Sequence, residues 1–431
     1  MKDRLRRFGR MAVVDVAPLR QVPGYRWLYA GMFLAQTGRQ LTVVAVPFQV
    51  YDLTGSTIAV GLLGLAQLVP LLAVSLVGGA LADAVNRRRL LVVTQLVLAA
   101  TAVGLFWNSI VDQPAIWPLF VLSAINAGVS AIDSPTRASI IPGLVGRRLL
   151  PSAMALNQTL TNTAKAVFPA LGGLLIATVG LAFSYGIEVF AFIAAALLIR
   201  RIPDQPTVGG GRKFELSSIT EGLRYLKGRR LLQATFLIDL NAMVFGMPTA
   251  LFPAMGTTVF GGDAFTVGLL FAAPGAGALL GAVTSGWVSV VRRQGFAVVV
   301  AVVIWGAGMA VFGLTEILGL ALVMLAVAGA ADVVSAIFRG TIVQLAAPDE
   351  LRGRLSSIHM AVVAGGPRLG DLEAGLVAAV TSIRFSVVSG GLACIGGALL
   401  LARWAPQFVG YRYEPDSSDR SSPGWFPQEE T

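Results

Sequence analysis

The chain has almost no cysteine or histidine. Cys394 and His359 are the only residues of their types among 431, which excludes a disulfide within the chain and any cysteine-rich or histidine-rich metal site. The three glycines at 209–211 are not followed by the Lys-Ser/Thr pair of a phosphate-binding loop. No pairing of a nucleophile with a general base is recognisable either. We therefore expect neither enzymatic activity nor a cofactor.

Charged residues are also scarce. Asp, Glu, Lys and Arg make up 13% of the chain, whereas soluble domains contain about 25%. Hydrophobic residues account for 55%, and the mean hydropathy is +0.74. A window of about 20 residues, the length of one membrane-spanning helix, divides the apolar sequence into runs at 27–51, 57–82, 90–110, 114–135, 153–178, 181–200, 231–254, 265–290, 296–314, 317–340, 356–379 and 383–404. The composition predicts an all-α integral membrane protein with twelve transmembrane helices.

The basic residues lie between the apolar runs and set the expected orientation. The net charge is +10, and arginines cluster at 87–89, 147–148 and 292–293, as well as in the first tail and the centre of the chain. Lysine and arginine collect at the cytoplasmic face of membrane proteins. We therefore expect a multi-pass protein of the plasma (inner) membrane with both termini in the cytoplasm. This placement argues against nucleic acid as the partner of the positive charge.

The central basic segment divides the runs into six and six. We expect two pseudo-symmetric six-helix bundles with this division of the chain: a cytoplasmic tail at 1–26, the first bundle at 27–200, a cytoplasmic linker at 201–230, the second bundle at 231–404 and a disordered cytoplasmic tail at 405–431. The first tail lacks the apolar core and cleavage site of a signal peptide. It is either an interfacial amphipathic segment or disordered. We expect the protein to be a monomer.

The polar loop after the second run carries the most specific motif. Residues 79–89 read GALADAVNRRR and resemble motif A of the major facilitator superfamily. The resemblance implies a transporter in which Asp83 contacts the N-terminal end of the eleventh helix and Arg87 reaches an acid at the end of the fourth. Gly79, Asp83, Arg87 and Asp133 thus form a predicted gating clasp. A plain positive-inside loop is the alternative.

The motif departs from the superfamily pattern at a few positions. Asn86 replaces the usual glycine, and asparagine tolerates left-handed backbone better than most residues, so we expect the tight turn to survive. A second copy of the motif is expected after the eighth run. There Val290 stands where the aspartate should be, and Arg292 and Arg293 remain. The clasp is therefore expected in the first half alone.

The fifth run contains a second partial motif. Residues 168–173 read FPALGG and are similar to the end of motif C of drug–proton antiporters. Pro169 would bend this helix, and Gly172 and Gly173 would let a neighbouring helix approach closely. Packing alone explains these residues as well as antiport does.

Ionisable and polar residues inside membrane spans are costly and usually serve a function. The candidates for proton coupling are Asp239, Asp332, Asp371 and Glu188. The candidates for a substrate cavity are Gln36, Arg39, Gln40, Asn162, Lys165 and Asn241. Other roles remain open: Arg39 can bind a backbone carbonyl of the other half, Asp371 can pair with Arg368 three residues earlier, and Glu188 can pair with Lys165.

Short segments along the whole apolar region resemble one branch of the superfamily in particular. They are similar to the branch of the superfamily that contains the enterobactin exporter and the macrolide efflux proteins, and they lie at 45–50, 78–83, 267–274, 284–286, 351–354 and 370–371. In the loop at 351–354, Arg352 and Arg354 either form part of an inner gate or mark the cytoplasmic face.

This resemblance implies a proton-coupled exporter of an amphiphilic, siderophore-like molecule that works by alternating access. The expected partners are a small-molecule substrate, protons and the lipid bilayer. A multidrug or macrolide pump is the first alternative, and a membrane sensor or scaffold without transport activity is the second. Uptake in place of export is also open.

Overall fold

The computed structural model describes residues 15–204 and 224–412. The predicted tails and most of the predicted linker lie outside these ranges. The side chains of 76–84, 289, 349–350, 352–353 and 356–357 are likewise outside the described part. The described residues form helices and no strand.

Nine helices of the described part are long and apolar enough, by length and composition, to cross a membrane. One of them, Ile116–Val179, has 64 residues and breaks at Gly146, where φ is 68°, so it supplies two spans. Pro23–Thr54 and Asp349–Val380 have 32 residues each and complete the predicted twelve. In chain order the spans are α1 Pro23–Thr54, α2 Thr57–Ala84, α3 Arg87–Ile110, α4 116–145, α5 147–179, α6 Leu181–Ile199, α7 Arg230–Phe245, α8 Ala264–Val283, α9 Gln294–Leu314, α10 Leu318–Ala346, α11 Asp349–Val380 and α12 Ile383–Trp404.

The turn between α2 and α3 differs from the expected one. Asn86 has a φ of −61° and lies outside the left-handed region. Its side chain accepts hydrogen bonds from the backbone N–H groups of Arg88 and Arg89, at 3.1 and 3.2 Å. Asn86 is thus the N-cap of α3, a position that favours asparagine because the first N–H groups of a helix lack partners.

The prediction of an unbroken seventh helix over 231–254 is wrong. The α-helix ends at Phe245, and a 3₁₀ turn, Thr249–Leu251, and a π-helical turn, Met255–Val259, follow. Pro248 explains the break, because proline has no N–H group and disfavours helix in the residue before it. The indole N–H of Trp305 donates to the freed carbonyl of Gly246 at 2.6 Å. The eighth helix also ends early, at Val283, and a 3₁₀ segment follows it.

The two halves of the chain meet along two pairs of helices. α5 packs against α8, and α2 packs against α11. Pro23 and Trp404 lie at one end of the helices, which we call the tail end. Thr54 and Thr57 lie at the opposite end, which we call the far end.

Candidate functional site

The two halves are in close contact near the far end. In the α2–α11 pair, the Thr57 hydroxyl donates to the carbonyl of Gly375 at 3.1 Å. A Cβ atom at Gly61 would lie 2.7 Å from the carbonyl oxygen of Asp371, so only glycine allows this approach. The backbones therefore touch here without intervening side chains, as in small-residue packing of membrane helices.

The partial motif C of α5 lies in the second pair. A Cβ atom at Gly173 would lie 2.4 Å from the carbonyl oxygen of Ala264 and 2.8 Å from the Cα atom of Gly268. Gly172 faces α1, where a Cβ atom would lie 3.0 Å from the Leu41 side chain. Pro169, one turn earlier, presents its carbonyl oxygen to Gly268. Pro169 and Gly173 thus lie at a close contact between the halves, whereas Gly172 lies at a contact within the first half.

Polar side chains between the halves remain open to solvent. Lys165 on α5 is exposed, and Asp332 on α10 is 33% exposed. The two side chains are close enough to interact electrostatically across the halves. On α5, the Gln158 amide donates to the Asn162 amide oxygen at 2.9 Å. Since a charge facing lipid is costly, these groups face an aqueous space between the bundles.

A buried carboxylate on α4 organises the first half. Asp133 is 1% exposed, and its Oδ2 atom accepts from Arg137 Nε and Nη2 at 2.7 and 2.5 Å. Arg39 Nη2 on α1 donates to the same oxygen at 3.1 Å. Thr94 and Gln95 on α3 donate to Oδ1 at 3.0 and 2.7 Å. Both oxygens are therefore fully bonded, as a buried charge requires.

The buried acid of α6 has fewer partners. Glu188 is fully buried, and the Thr42 hydroxyl of α1 donates to its Oε1 atom. Its Oε2 atom has no hydrogen-bond partner among the described groups, and neither has Arg39 Nε. Arg39 interacts electrostatically with Glu188, while Lys165 interacts with Asp332. The second half supplies the partner of Lys165 that the sequence had suggested on α6.

A second buried ion pair lies in the other half. Asp239 on α7 is fully buried, and Arg339 on α10 is 2% exposed, with 2.8 Å between Oδ1 and Nη2. This distance makes an ion pair, but both carboxylate oxygens lack a hydrogen bond of good geometry. Asp332 Oδ1 lies 3.8 Å from the same Nη2, and His359 Nδ1 on α11 lies 3.7 Å from Asp239 Oδ2. Asp332 thus lies between the buried Asp239–Arg339 pair and the aqueous space that Lys165 faces.

The two ion pairs occupy corresponding helices with the charges reversed. In the first half, α1 supplies the cation Arg39 and α4 the anion Asp133. In the second half, α7 supplies the anion Asp239 and α10 the cation Arg339. The first and fourth helices of each bundle are thus joined by one buried pair.

Asp371 on α11 forms hydrogen bonds with the segment that follows the interruption of α7. Asp371 Oδ1 accepts from the Thr249 hydroxyl at 2.6 Å and from the backbone N–H of Ala250 at 2.8 Å. The break frees this N–H, and the carboxylate satisfies it. Arg368, the pairing partner considered from the sequence, lies close enough to interact electrostatically with Asp371.

The remaining predicted residues are dispersed. Asn241 donates to the carbonyl of Cys394 at 2.9 Å and joins α7 to α12. On α1, Gln40 is buried and Gln36 is half-buried. Arg87 donates to the carbonyl of Ser139 at 3.4 Å, and Arg354 is half-buried at the start of α11. The side chains of three predicted gate residues lie outside the described part: Gly79, Asp83 and Arg352.

Two arginines of these clusters were missed from the sequence. Arg137 follows Asp133 by four residues, and Arg339 follows Asp332 by seven, so each pair shares a helix face. Both arginines lie at the ends of apolar runs, where the positive-inside pattern already explained them. The helical spacing is the signal in the sequence from which they can be recognised as partners of acids. Among the described residues, no group of His, Cys, Asp and Glu is arranged to hold a metal ion.

A family profile and the similar curated sequences both match this chain over most of its length. The profile of a family described as transmembrane secretion effector matches residues 13–419. The enterobactin exporter EntS of Citrobacter koseri is 28% identical over 395 residues, which cover 90% of this chain and 94% of the exporter. EntS of Shigella boydii has the same identity and coverage.

Comparison with solved structures gives the same fold. The nucleoside transporter NupG superposes with a TM-score of 0.68 at 13% identity, over 90% of this chain and 99% of NupG. A bacterial homologue of the lysosomal transporter Spinster, in an inward-facing and unoccupied conformation, gives 0.71 at 14% identity, over 91% and 98%. A D-xylose–proton symporter gives 0.68 at 15% identity, over 90% and 98%. At these identities the likeness concerns the fold, two six-helix bundles of a membrane transporter.

Proposed function

Because this chain belongs to the transmembrane secretion effector family of the major facilitator superfamily, we propose that it exports a siderophore-like organic molecule across the inner membrane by proton-coupled alternating access. It works as a monomer, with both termini in the cytoplasm. The enterobactin exporters that match over most of its length support this class of substrate. The arginine-rich loops at the tail end support the orientation.

The observation that carries the proposal is the contrast between close contacts at the far end and polar side chains that stay open to solvent deeper in the molecule. At the far end, Thr57 and Gly375 join α2 to α11, and Gly173 touches Gly268 between α5 and α8. Deeper in the molecule, Lys165 and Asp332 stay open to solvent. With a cytoplasmic tail end, this is the state in which an exporter takes up its cargo from the cell.

The charges of the cavity suit an anionic cargo. Lys165 is exposed between the halves, and the side chain of Arg39 is 24% exposed. Catecholate and hydroxamate siderophores present acidic oxygens that a lysine or arginine binds well. Gln36, Gln40 and Asn162 supply further hydrogen-bonding groups beside these cations. The predicted clasp of Asp83 and Arg87 would hold the tail end closed in the opposite state.

The second ion pair is the better candidate for proton coupling. Asp133 is fixed by two arginines and two neutral donors, so its protonation would break a complete network. Asp239 has Arg339 and His359 as its partners, with both oxygens lacking well-aligned hydrogen bonds. Asp332 lies between this pair and the cavity. Protonation of Asp239 or Asp332 would release Arg339, and that release is the proposed coupling step.

The transport experiment uses the full chain in proteoliposomes. A catecholate siderophore and a panel of amphiphilic drugs are loaded, and their movement is followed with and without an imposed pH gradient. We expect siderophore movement driven by inward proton flow. Movement that is unchanged when the gradient is collapsed would contradict the coupling. Movement of the drugs alone would replace the proposed substrate class with drug efflux.

The residue experiment compares Asp239→Asn with Asp52→Asn. Asp52 is an exposed acid at the far end of α1 and serves as the matched control. We expect Asp239→Asn to abolish gradient-driven transport while it retains exchange of substrate for substrate, because exchange needs no net proton movement. Asp52→Asn should keep both activities. Gradient-driven transport by Asp239→Asn at the wild-type rate would exclude this residue as the carrier.

A further inference from the structure

A separate cavity lies outside the transport pathway, at the tail end of the second half. Its volume is about 580 Å³, and it is formed by the start of α9, the end of α12 and the short helix Pro406–Val409. Three of its lining residues are arginines: Arg293, Arg403 and Arg412. All three are exposed. In the part of the chain that the structure describes, no ion pair joins any of them to an acid.

The backbone builds this cavity in a specific way. Phe408 is fully buried, and its carbonyl oxygen sits so close to Gly295 that a Cβ atom there would lie 1.6 Å away. Only glycine in the first turn of α9 lets the short helix fold back onto the bundle. This contact holds the segment that carries Gly410 and Arg412 beside Arg293. The cavity is therefore a fixed feature of the fold.

The opposite wall of the cavity is apolar and faces the bilayer. Phe296 on α9 is 52% exposed, and Leu399 on α12 is 47% exposed, and both line the cavity. They lie about one turn further into their spans than Arg293 and Arg403. Trp404, with Arg230 over its ring at 5.8 Å, lies beside the arginines, as expected for a tryptophan at the membrane–water interface. The cationic part thus lies at headgroup depth and the apolar part at acyl-chain depth.

We propose that this cavity binds an anionic phospholipid, with the phosphate between Arg293, Arg403 and Arg412 and an acyl chain against Phe296 and Leu399. Guanidinium groups match phosphate oxygens with paired hydrogen bonds. Basic pockets on the cytoplasmic side of membrane proteins select such lipids. The arginines supply the charge complement, and the exposed apolar wall distinguishes a lipid from a free anion.

The test measures lipid retained by the purified full chain. The wild type and an Arg293→Gln/Arg403→Gln/Arg412→Gln variant are reconstituted in phosphatidylcholine with phosphatidylglycerol, extracted, and examined by native mass spectrometry. About a fivefold loss of affinity per arginine predicts roughly hundredfold weaker retention of phosphatidylglycerol. Phosphatidylcholine should bind equally to both proteins. Equal retention of phosphatidylglycerol would overturn the proposal.

Two controls separate this site from general attraction of anions. Arg292→Gln removes the neighbouring exposed arginine, which does not line the cavity, and should leave retention unchanged. A loss as large as that of the triple variant would assign the effect to surface charge and overturn the proposal. Phe296→Ser/Leu399→Ser should weaken retention although it keeps every charge. Displacement of the lipid by inorganic phosphate would show a small-anion site and would also overturn it.

Discussion

At the scale of single residues, the carboxylates of the two buried ion pairs, Asp133 and Asp239, differ in how completely they are bonded. Asp133 receives donors from Arg137, Arg39, Thr94 and Gln95. Removing one member of such a network leaves an uncompensated charge inside the protein, which costs far more than the intact network contributes. Asp133 is therefore expected to stabilise the first bundle, whereas Asp239 is the proposed site of proton uptake.

The Asp133→Asn variant tests this stabilising role. Arg137 is almost fully buried, and it would lose its anion, so we expect a destabilisation of about 3–5 kcal/mol. Thermal unfolding of the purified protein in detergent, followed by tryptophan fluorescence, measures it. Asp52→Asn should change the stability by less than about 0.5 kcal/mol, since it alters an exposed residue. Equal stability of the two variants would contradict the assigned role.

The sequence identified these acids but did not identify their partners. Asp239 and Asp332 were singled out because an acid inside an apolar run is costly. Arg339 lies at the end of its apolar run, where the positive-inside pattern already accounts for an arginine, so the sequence gives no separate sign of its pairing with Asp239. Asp239 and Arg339 lie on different helices, and only the folded bundle brings them within 2.8 Å. Helical periodicity shows which residues share one face of a helix, but which helices bring their faces together depends on tertiary packing.

At the scale of helices, the number of spans was predictable and their interruptions were not. Twelve apolar runs gave twelve spans because the thickness of the bilayer fixes the length of each. The break in α7 follows from Pro248. A hydropathy average over about 20 residues does not register a single proline, although the residue is visible in the sequence. The break matters because it releases the N–H of Ala250 to Asp371. Discontinuous helices of this kind often mark functional regions of transporters.

The α5–α8 contact gives a prediction at the same scale. A Cβ atom at Gly268 would lie 2.6 Å from the carbonyl oxygen of Pro169, so Gly268→Leu should force the bundles apart at the far end. We expect lower transport and faster labelling of Thr57→Cys by an impermeant maleimide, with Cys394→Ser as the background. Gly319→Leu is the control, because nothing lies within 4 Å of a Cβ atom there. Unchanged labelling in Gly268→Leu would show that this contact does not close the far end.

At the scale of the whole molecule, the contacts within each bundle differ in kind from the contacts between the bundles. Each bundle has its own buried ion pair between its first and fourth helices, so charges stabilise the halves internally. Between the halves near the far end, the contacts are glycine packing, single hydrogen bonds and an apolar cluster to which the second half contributes Ala250, Ala264 and Val267. Such contacts form and separate without leaving a buried charge unpaired. The halves can therefore rock against each other while each keeps its own buried ion pair.

This division predicts the effect of locking the far end. Thr57 on α2 and Gly375 on α11 are in direct contact, since the Thr57 hydroxyl donates to the Gly375 carbonyl at 3.1 Å. A Cβ atom at Gly375 would lie 2.6 Å from the Thr57 carbonyl oxygen, so a cysteine there requires a small shift of α11, after which a disulfide can form across this contact. In the Cys394→Ser background, oxidised Thr57→Cys/Gly375→Cys should lose transport and regain it on reduction. Each single cysteine variant should transport at the same rate with and without oxidant, whatever its own activity. Full transport by the cross-linked protein would mean that α2 and α11 need not separate, and alternating access by rocking of the two bundles would have to be abandoned.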